Sequence, residues 1–350
     1  MNASETPLVN VHFIGLDHRL PLLPLAIPLL MQSNERAPFH ANSAIYAHMN
    51  ASLRKRCALT AVMDQSDLLI FPHDALVHAQ AARTASETAK RMEIPALFLS
   101  DSDIVAPSSL PSGVIFRTSI LASKRRLHEF IATGGVPDLH GERQSGHSVI
   151  TPWTDVPSLG FIGHVASGLR SLPYIRNGWQ NFYGFRLREH VLRSFEGSQE
   201  VQARFVRRGK NLGPPMAGVD VDLARNHMRR EYVNSVFECD YALCMRGAGN
   251  WSYRFFEALS AGRIPVMIDT DCMLPLEDEI DWSRHICRIP YAQIADAPAI
   301  LRAFHHNLGP EGFATMQKAN RNLWVQQLEP GAFFLRVIER LAQGRSTTNP

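Results

Sequence analysis

Six residues between positions 246 and 257 carry the most chemistry in this chain: Arg246, Gly247, Gly249, Ser252, Arg254 and Glu257. They lie in a pattern of strand, glycine loop, helix and strand. The apolar run at 241–245 predicts a buried strand, and the run at 264–268 predicts a second, with Pro265 near its start where a missing N–H matters least. Gly247 and Gly249 open the intervening loop and allow close backbone approach to a ligand. Asn250 is a good N-cap for a helix over 251–261, and Gly262 is a helix-stop residue. A loop entering a helix N-terminus is a ready anion site, because the first amides are unpaired and the helix dipole favours negative charge. Arg246 and Arg254 flank it, and arginine forks match phosphate oxygens. Glu257 follows Arg254 by three residues, on the same helix face, where a carboxylate can accept from ribose hydroxyls. The combination points to a nucleotide diphosphate. The competing reading is an exposed Arg254–Glu257 ion pair, worth only ~0.2–0.5 kcal/mol, beside glycines that merely shape a turn. The dinucleotide fingerprint G-x-G-x-x-G is absent, since Ser252 stands where its third glycine belongs.

The elements that must position these residues alternate between strand and helix. Residues 9–16 predict a strand ending at Gly15, followed by the polar trio Asp17, His18 and Arg19. Helix-like spacing covers 43–59. Residues 68–71 read as a strand running into Pro72, His73 and Asp74. A histidine beside a carboxylate at a strand end is a general-base candidate. In the alternative, Asp74 caps a helix at 75–92 and His73 packs. A strand at 96–99 leads to Asp101, Ser102 and Asp103. The same D-x-D spacing recurs at Asp220/Asp222 and Asp269/Asp271, so a turn is the simpler reading and no metal site is expected. Further on come a strand at 114–117, a basic helix at 122–132 and a polar loop at 134–146. The second half continues with a strand at 159–165, a helix at 183–192, a strand at 202–206 and a helix at 228–236. A strand at 286–289, helices at 295–305, 310–327 and 332–343, and a disordered tail at 344–350 complete the chain. This alternation predicts two α/β domains with parallel sheets.

The 350 residues suffice for two ordinary domains, and 45% hydrophobic with 20% charged residues describes a globular chain. A net charge of +3 suits an anionic ligand, but no basic run exceeds Lys124-Arg125-Arg126, which argues against nucleic acid as a partner. Five cysteines without C-x-x-C spacing point to a reduced, cytoplasmic setting rather than a disulfide framework or zinc site. The apolar run at 20–31 carries three prolines and is too short to span a bilayer, so neither a secretory signal nor an anchor is expected.

The stretch RGAGNWSYRFFEALSAGRIPVMIDTDCMLPLEDEIDW resembles the C-terminal signature of exostosin-type glycosyltransferases, glycosyltransferase family 47. The family pattern runs R-G-x-G-x-x-S-x-R-x-x-E-x-L-x-x-G-x-I-P-V, then an acidic pair, L-P-[FL] and I-D-W. This chain departs from it in having Arg263 where cysteine is usual and Leu276 where phenylalanine is common. The apolar strand running into His73-Asp74 and the segment HSVITPW at 147–153 are similar to earlier motifs of that family, in the same order.

The resemblance implies a GT-B fold, two Rossmann-like domains facing a cleft, with domains expected at 1–156 (acceptor side) and 157–330 (donor side) and a C-terminal helix and tail at 331–350. It implies inverting transfer of a sugar from a nucleotide sugar, most simply a UDP-sugar, to a saccharide or glycoconjugate hydroxyl, without a metal or other cofactor. The donor would meet Arg188, Arg246, Gly247, Gly249, Ser252, Arg254 and Glu257, with Arg186 as the alternative to Arg188. Asp74 or His73 would accept the hydroxyl proton. The location implied is cytoplasmic, with peripheral association at the membrane face. Two other readings stay open: a catalytically silent subunit that binds nucleotide sugar or glycan, and a metal-dependent transferase using Asp101 and Asp103.

Overall fold

The computed structural model describes residues 8–23, 53, 55–142, 150–165, 179–208 and 221–343. Most of the helix expected at 43–59, residues 209–219, Asp220 and the tail at 344–350 lie outside the described residues. The chain divides into two compact units. The first comprises 1–137, 273–279 and 327–350, and the second 138–272 and 280–326.

The first unit is built on six parallel strands: β1 (Val9–Phe13), β2 (Cys57–Leu59), β3 (Leu68–Asp74), β4 (Ala96–Ser100), β5 (Val114–Arg117) and β6 (Glu129–Ile131), in the order β2-β1-β3-β4-β5-β6. Helix α1 (Ala79–Met92) lays Ala82, Ala85, Ser86 and Ala89 on the sheet, small residues that let the helix come close to Phe71 and Phe98. Such burial contributes roughly 25 cal/mol per Å² of apolar surface. The register of β3 against β4 slips between Ile70 and Asp74. Pro72 lies in that gap, and lacking an N–H it favours a bulge that re-aims His73 and Asp74.

The basic helix expected at 122–132 does not form. Ala122–Lys124 make one 3-10 turn and 129–131 become strand β6. Glu129 is fully buried and pairs with buried Arg117, a tertiary contact that overrides the local helical spacing.

The second unit begins with the short helix α2 (Leu139–Glu142), then β7 (Ser158–His164), α3 (Trp179–Glu196), β8 (Gln202–Arg208), α4 (Val221–Phe237), β9 (Tyr241–Cys244), α5 (Tyr253–Ser260), β10 (Ile264–Asp269), β11 (Cys287–Pro290) and α6 (Ala297–Leu323). Its five strands are parallel in the order β11-β10-β9-β7-β8. Leu159, Phe161, Tyr241, Leu243, Val266 and Ile268 from the sheet pack with Val191 and Phe195 of α3 and Phe313 of α6. The helices expected at 295–305 and 310–327 are α6, kinked at Gly309 (φ 59°) and Pro310. From β7 the chain turns to β8 on one side, while β9 lies on the other. The carboxyl ends of β7 and β9 therefore flank a topological switch point, where ligands of open α/β sheets bind.

The division into units puts residues 138–142 and 150–156 with the second unit. Three contacts explain it: Asp138 is gripped by Arg321 at 2.6 and 2.8 Å, Thr151 bonds Gln317, and Asp155 pairs with Arg302. The described part of the segment at 147–153 is irregular. The C-terminal helix, Pro330–Ala342, belongs to the first unit, with Phe333 edge-on to Phe116 at 5.7 Å. Two Rossmann-like α/β units are what the GT-B expectation required. Among the described residues no helix is long and apolar enough to cross a membrane.

Candidate functional site

Three arginines meet at the switch point of the second unit. Arg188, on α3, donates from Nε to the Arg246 carbonyl and from Nη1 to the His164 carbonyl, both at 2.9 Å. It thus joins the ends of β7 and β9. Arg254, in the first turn of α5, donates to the Ile162 carbonyl and lies over the Phe161 ring at 4.4 Å and the Tyr232 ring at 5.8 Å. Arg246, buried after β9, bonds the Ala248 carbonyl at 3.1 Å and faces the Tyr183 ring at 5.7 Å. Burial, and then the positive charge of Arg254, push the Arg188 pKa down to about 10. Two guanidiniums share a partly desolvated space, an arrangement that an anion relieves.

Glycines make room for this. A β-carbon on Gly247 would come within 3.3 Å of Arg188 Nη2, and one on Gly163 within 3.1 Å of Arg254 Nη2. Gly249 is buried in the same loop, which closes through a 3.3 Å bond from the Gly247 amide to the Trp251 carbonyl. Helix α5 starts later than expected. Ser252, not Asn250, occupies the N-cap position, and its hydroxyl makes no capping bond. Asn250 is instead buried, accepting from the Thr270 hydroxyl at 2.6 Å and donating to the Asp271 carbonyl at 2.9 Å, so it braces the loop against the end of β10. Gly262 ends α5 in the left-handed region (φ 67°), as its position suggested.

Glu257 is nearly buried and does not pair with Arg254. Its Oε1 accepts from Arg229 at 3.2 Å, and its Oε2 accepts from the Tyr232 hydroxyl. Arg229 also grips Glu142 at 3.0 and 3.1 Å. Arg229 and Tyr232 are three residues apart on one face of α4. Sequence reasoning missed both, as it missed Gly184. Only the helix expected at 228–236, before the signature strand, hinted at α4. Arg186 is exposed, whereas Arg188 reaches the strand ends.

In the first unit, His73 is fully buried, with Nδ1 at 3.0 Å from the Pro21 carbonyl and Nε2 accepting from the Asp17 amide at 3.0 Å. That pattern requires the neutral Nδ1–H tautomer. Asp74 accepts four bonds: Oδ1 from the Leu76 and Val77 amides, Oδ2 from the Ser100 hydroxyl and Asp101 amide. Asp17, beside them, is held well below the usual carboxylate range by Arg19. Asp101 is exposed as a residue, yet partial burial of its carboxyl and then the Asp74 charge raise its pKa. Among the described residues no group of three or more potential ligands could hold a metal ion, and Asp101 with Asp103 forms none.

Residues 184–304 match the family model of the Exostosin GT47 domain. Over this third of the chain, the sequence is similar to the domain of exostosin-type glycosyltransferases. The matched segment opens at Gly184 and includes Arg188, Arg246, Arg254 and Glu257. The chain is 29% identical over 100 residues to Exostosin-1 of Drosophila melanogaster, covering 29% of this chain and 13% of that protein. It is 27% identical over 125 residues to the probable glucuronosyltransferase GUT1 of Oryza sativa subsp. japonica, covering 35% of this chain and 30% of that one. The chain thus spans less than a third of the length of either relative. A glycosyltransferase of Rickettsia africae is similar in structure at 10% identity and TM-score 0.42, covering 91% of this chain and 84% of its own.

Proposed function

We propose that the protein is a glycosyltransferase that takes a sugar from a nucleotide sugar, most simply a UDP-sugar, and transfers it with inversion to a saccharide or glycoconjugate hydroxyl. The observation that carries this reading is the convergence of Arg188 and Arg254 at the ends of β7 and β9, each fixed by a backbone carbonyl and each partly desolvated. Arg246 and the loop amides at Gly249 and Ser252 extend the same positive field. They would bind the diphosphate and stabilise the charge it gains on leaving, each donor being worth roughly 3 kcal/mol in the transition state. Glu257 would accept from the ribose hydroxyls. This assignment needs no metal.

The acceptor hydroxyl must lose a proton. His73 has both ring nitrogens engaged, and Asp74 has four donors on its carboxylate, so in this reading they shape the ends of β3 and β4 rather than act as base. Asp101 fits the task better, because a raised pKa makes a stronger base of a carboxylate that solvent reaches. The full engagement of His73 and Asp74 also suits a nucleotide-sugar-binding subunit without turnover, and product formation separates the two readings.

The test is calorimetric titration with UDP, GDP and UDP-sugars, with and without a chelator. Chelator-insensitive UDP binding that Arg254→Ala removes is the expected result. Absence of any nucleotide binding sinks the reading. Asp101→Asn should abolish transfer while leaving donor affinity intact.

A further inference from the structure

Tyr232 stands between the two halves of the proposed donor site. Its hydroxyl donates to Glu257 Oε2, and its ring faces the Arg254 guanidinium at 5.8 Å. Arg254 is therefore flanked by two aromatic rings, Tyr232 on α4 and Phe161 on β7. Three residues before Tyr232, Arg229 holds the other oxygen of Glu257 and is itself fixed by two bonds to Glu142. Burial keeps the Tyr232 phenol protonated far above neutral pH, so it remains a donor.

We infer that Tyr232, with Arg229, is the positioning residue for ribose recognition: it locks the Glu257 carboxylate so that each oxygen keeps an acceptor direction for one sugar hydroxyl. The inference rests on the donor-site reading above. A carboxylate offers about four acceptor positions, and Tyr232 and Arg229 take one on each oxygen. Two acceptor positions remain, one per oxygen, matching the vicinal 2′ and 3′ hydroxyls of a ribose. Without the two donors the Glu257 carboxylate loses the contacts that fix its oxygens, and its selection between ribose and deoxyribose would weaken. Contact with Arg254 through the ring, not the hydroxyl, separates the two tasks: the Tyr232 oxygen serves the sugar and its face serves the phosphate cation.

The experiment titrates the wild-type protein and Tyr232→Phe with UDP and with its 2′-deoxy and 3′-deoxy analogues. The wild type should prefer UDP. Tyr232→Phe keeps the ring, so affinity for the deoxy analogues should hold, while the preference for UDP over them falls roughly tenfold, the value of one charge-assisted hydrogen bond. A variant that merely loosens the fold would lower all three affinities together and leave their ratio unchanged, which overturns the inference. Arg229→Gln supplies a second reading of the same ratio should Tyr232→Phe fail to fold. If the wild type binds UDP but does not discriminate ribose, the inference fails while the diphosphate site stands. If the wild type binds no nucleotide, the donor-site reading itself fails and takes this inference with it.

Discussion

Gly184 on α3 lies against the backbone of Gly247, so that a β-carbon added at Gly184 would overlap the Gly247 carbonyl oxygen. The helix that carries Arg188 and the loop that follows Arg246 are therefore in direct main-chain contact. Gly184→Ala should push them apart, costing about 1–3 kcal/mol of stability as other overpacked sites do. It should also weaken UDP binding, because the Arg188 bond to the Arg246 carbonyl depends on that approach. Thermal melting and titration of the same sample check both effects. An unchanged affinity would mean that the loop does not depend on α3.

Arg254→Ala removes a guanidinium that faces Phe161 and Tyr232 at the strand ends. Losing one charge-assisted contact to a diphosphate should cost about 1.5–3 kcal/mol of binding, which is roughly 10- to 150-fold in affinity. The salt dependence of binding should become shallower as well, since one cation fewer meets the phosphates. Titrations at several ionic strengths measure both. A steep salt slope that survives the substitution would place the anion elsewhere.

How much of this site was legible in the sequence follows from how far each contact reaches along the chain. The strand, loop and helix around Gly247, Gly249 and Gly262 were readable because glycine punctuates locally. Arg246, Arg254 and Glu257 came with that segment. The partners of Glu257 were not readable, because Arg229 and Tyr232 reach it from a different helix, 28 and 25 residues earlier. The exposed Arg254–Glu257 pair was a fair local expectation, and tertiary aromatic contacts at Phe161 and Tyr232 displaced it. Asn250 looked like a cap because caps and loop braces use the same side chain. His73 and Asp74 looked catalytic by type, while their hydrogen bonds to Asp17, Pro21, Leu76, Val77, Ser100 and Asp101 depend on strand neighbours that no local pattern reveals.

His305 should give the second unit a pH-dependent stability. Its ring is fully buried, stacked on Trp153 at 5.1 Å, with Nε2 at 2.7 Å from the Thr154 carbonyl and Nδ1 at 2.8 Å from the Tyr241 hydroxyl. Burial lowers its pKa below the ordinary histidine value of 6.5. A depressed histidine favours its neutral form in the folded state, so its contribution is complete above pH ~6.5 and is lost as pH falls toward the folded pKa. Urea unfolding between pH 8 and 5 should show a decline that is shallower in His305→Gln. Equal slopes in the two proteins would refute the assignment.

All five cysteines are free and buried. Burial pushes Cys244 and Cys287 up to about 12, Cys57 and Cys239 up to about 11, and raises Cys272 as well. Reactivity requires thiolate and access, and the native protein offers neither. An aromatic disulfide reagent at pH 8 should label the folded protein slowly and five thiols at once in denaturant. Rapid labelling of a native thiol would show an opening in the first or second unit, identifiable by which cysteine reacts.

The Arg117–Glu129 pair is the clearest case in which one missing partner should be costly. Both side chains are fully buried, 2.8 Å apart. Arg117 also donates to the carbonyls of Ala106 and Ile104, and Glu129 accepts from the amides of Ser108 at 2.6 Å and Arg126 at 2.9 Å. The pair therefore pins the segment between β4 and β5, and it is the reason that 129–131 form a strand and not a helix. Burial lowers the Arg117 pKa even with Glu129 beside it, so desolvation outweighs part of the attraction. Glu129→Ala leaves a buried guanidinium without its counter-charge and should cost about 3–5 kcal/mol. Replacing both residues, Arg117→Met with Glu129→Leu, should cost less than either single change, because no charge is stranded. Chemical unfolding of Arg117→Met, Glu129→Leu and the double variant closes the cycle. Additive losses would mean that the two side chains act independently and that β6 is held by something else.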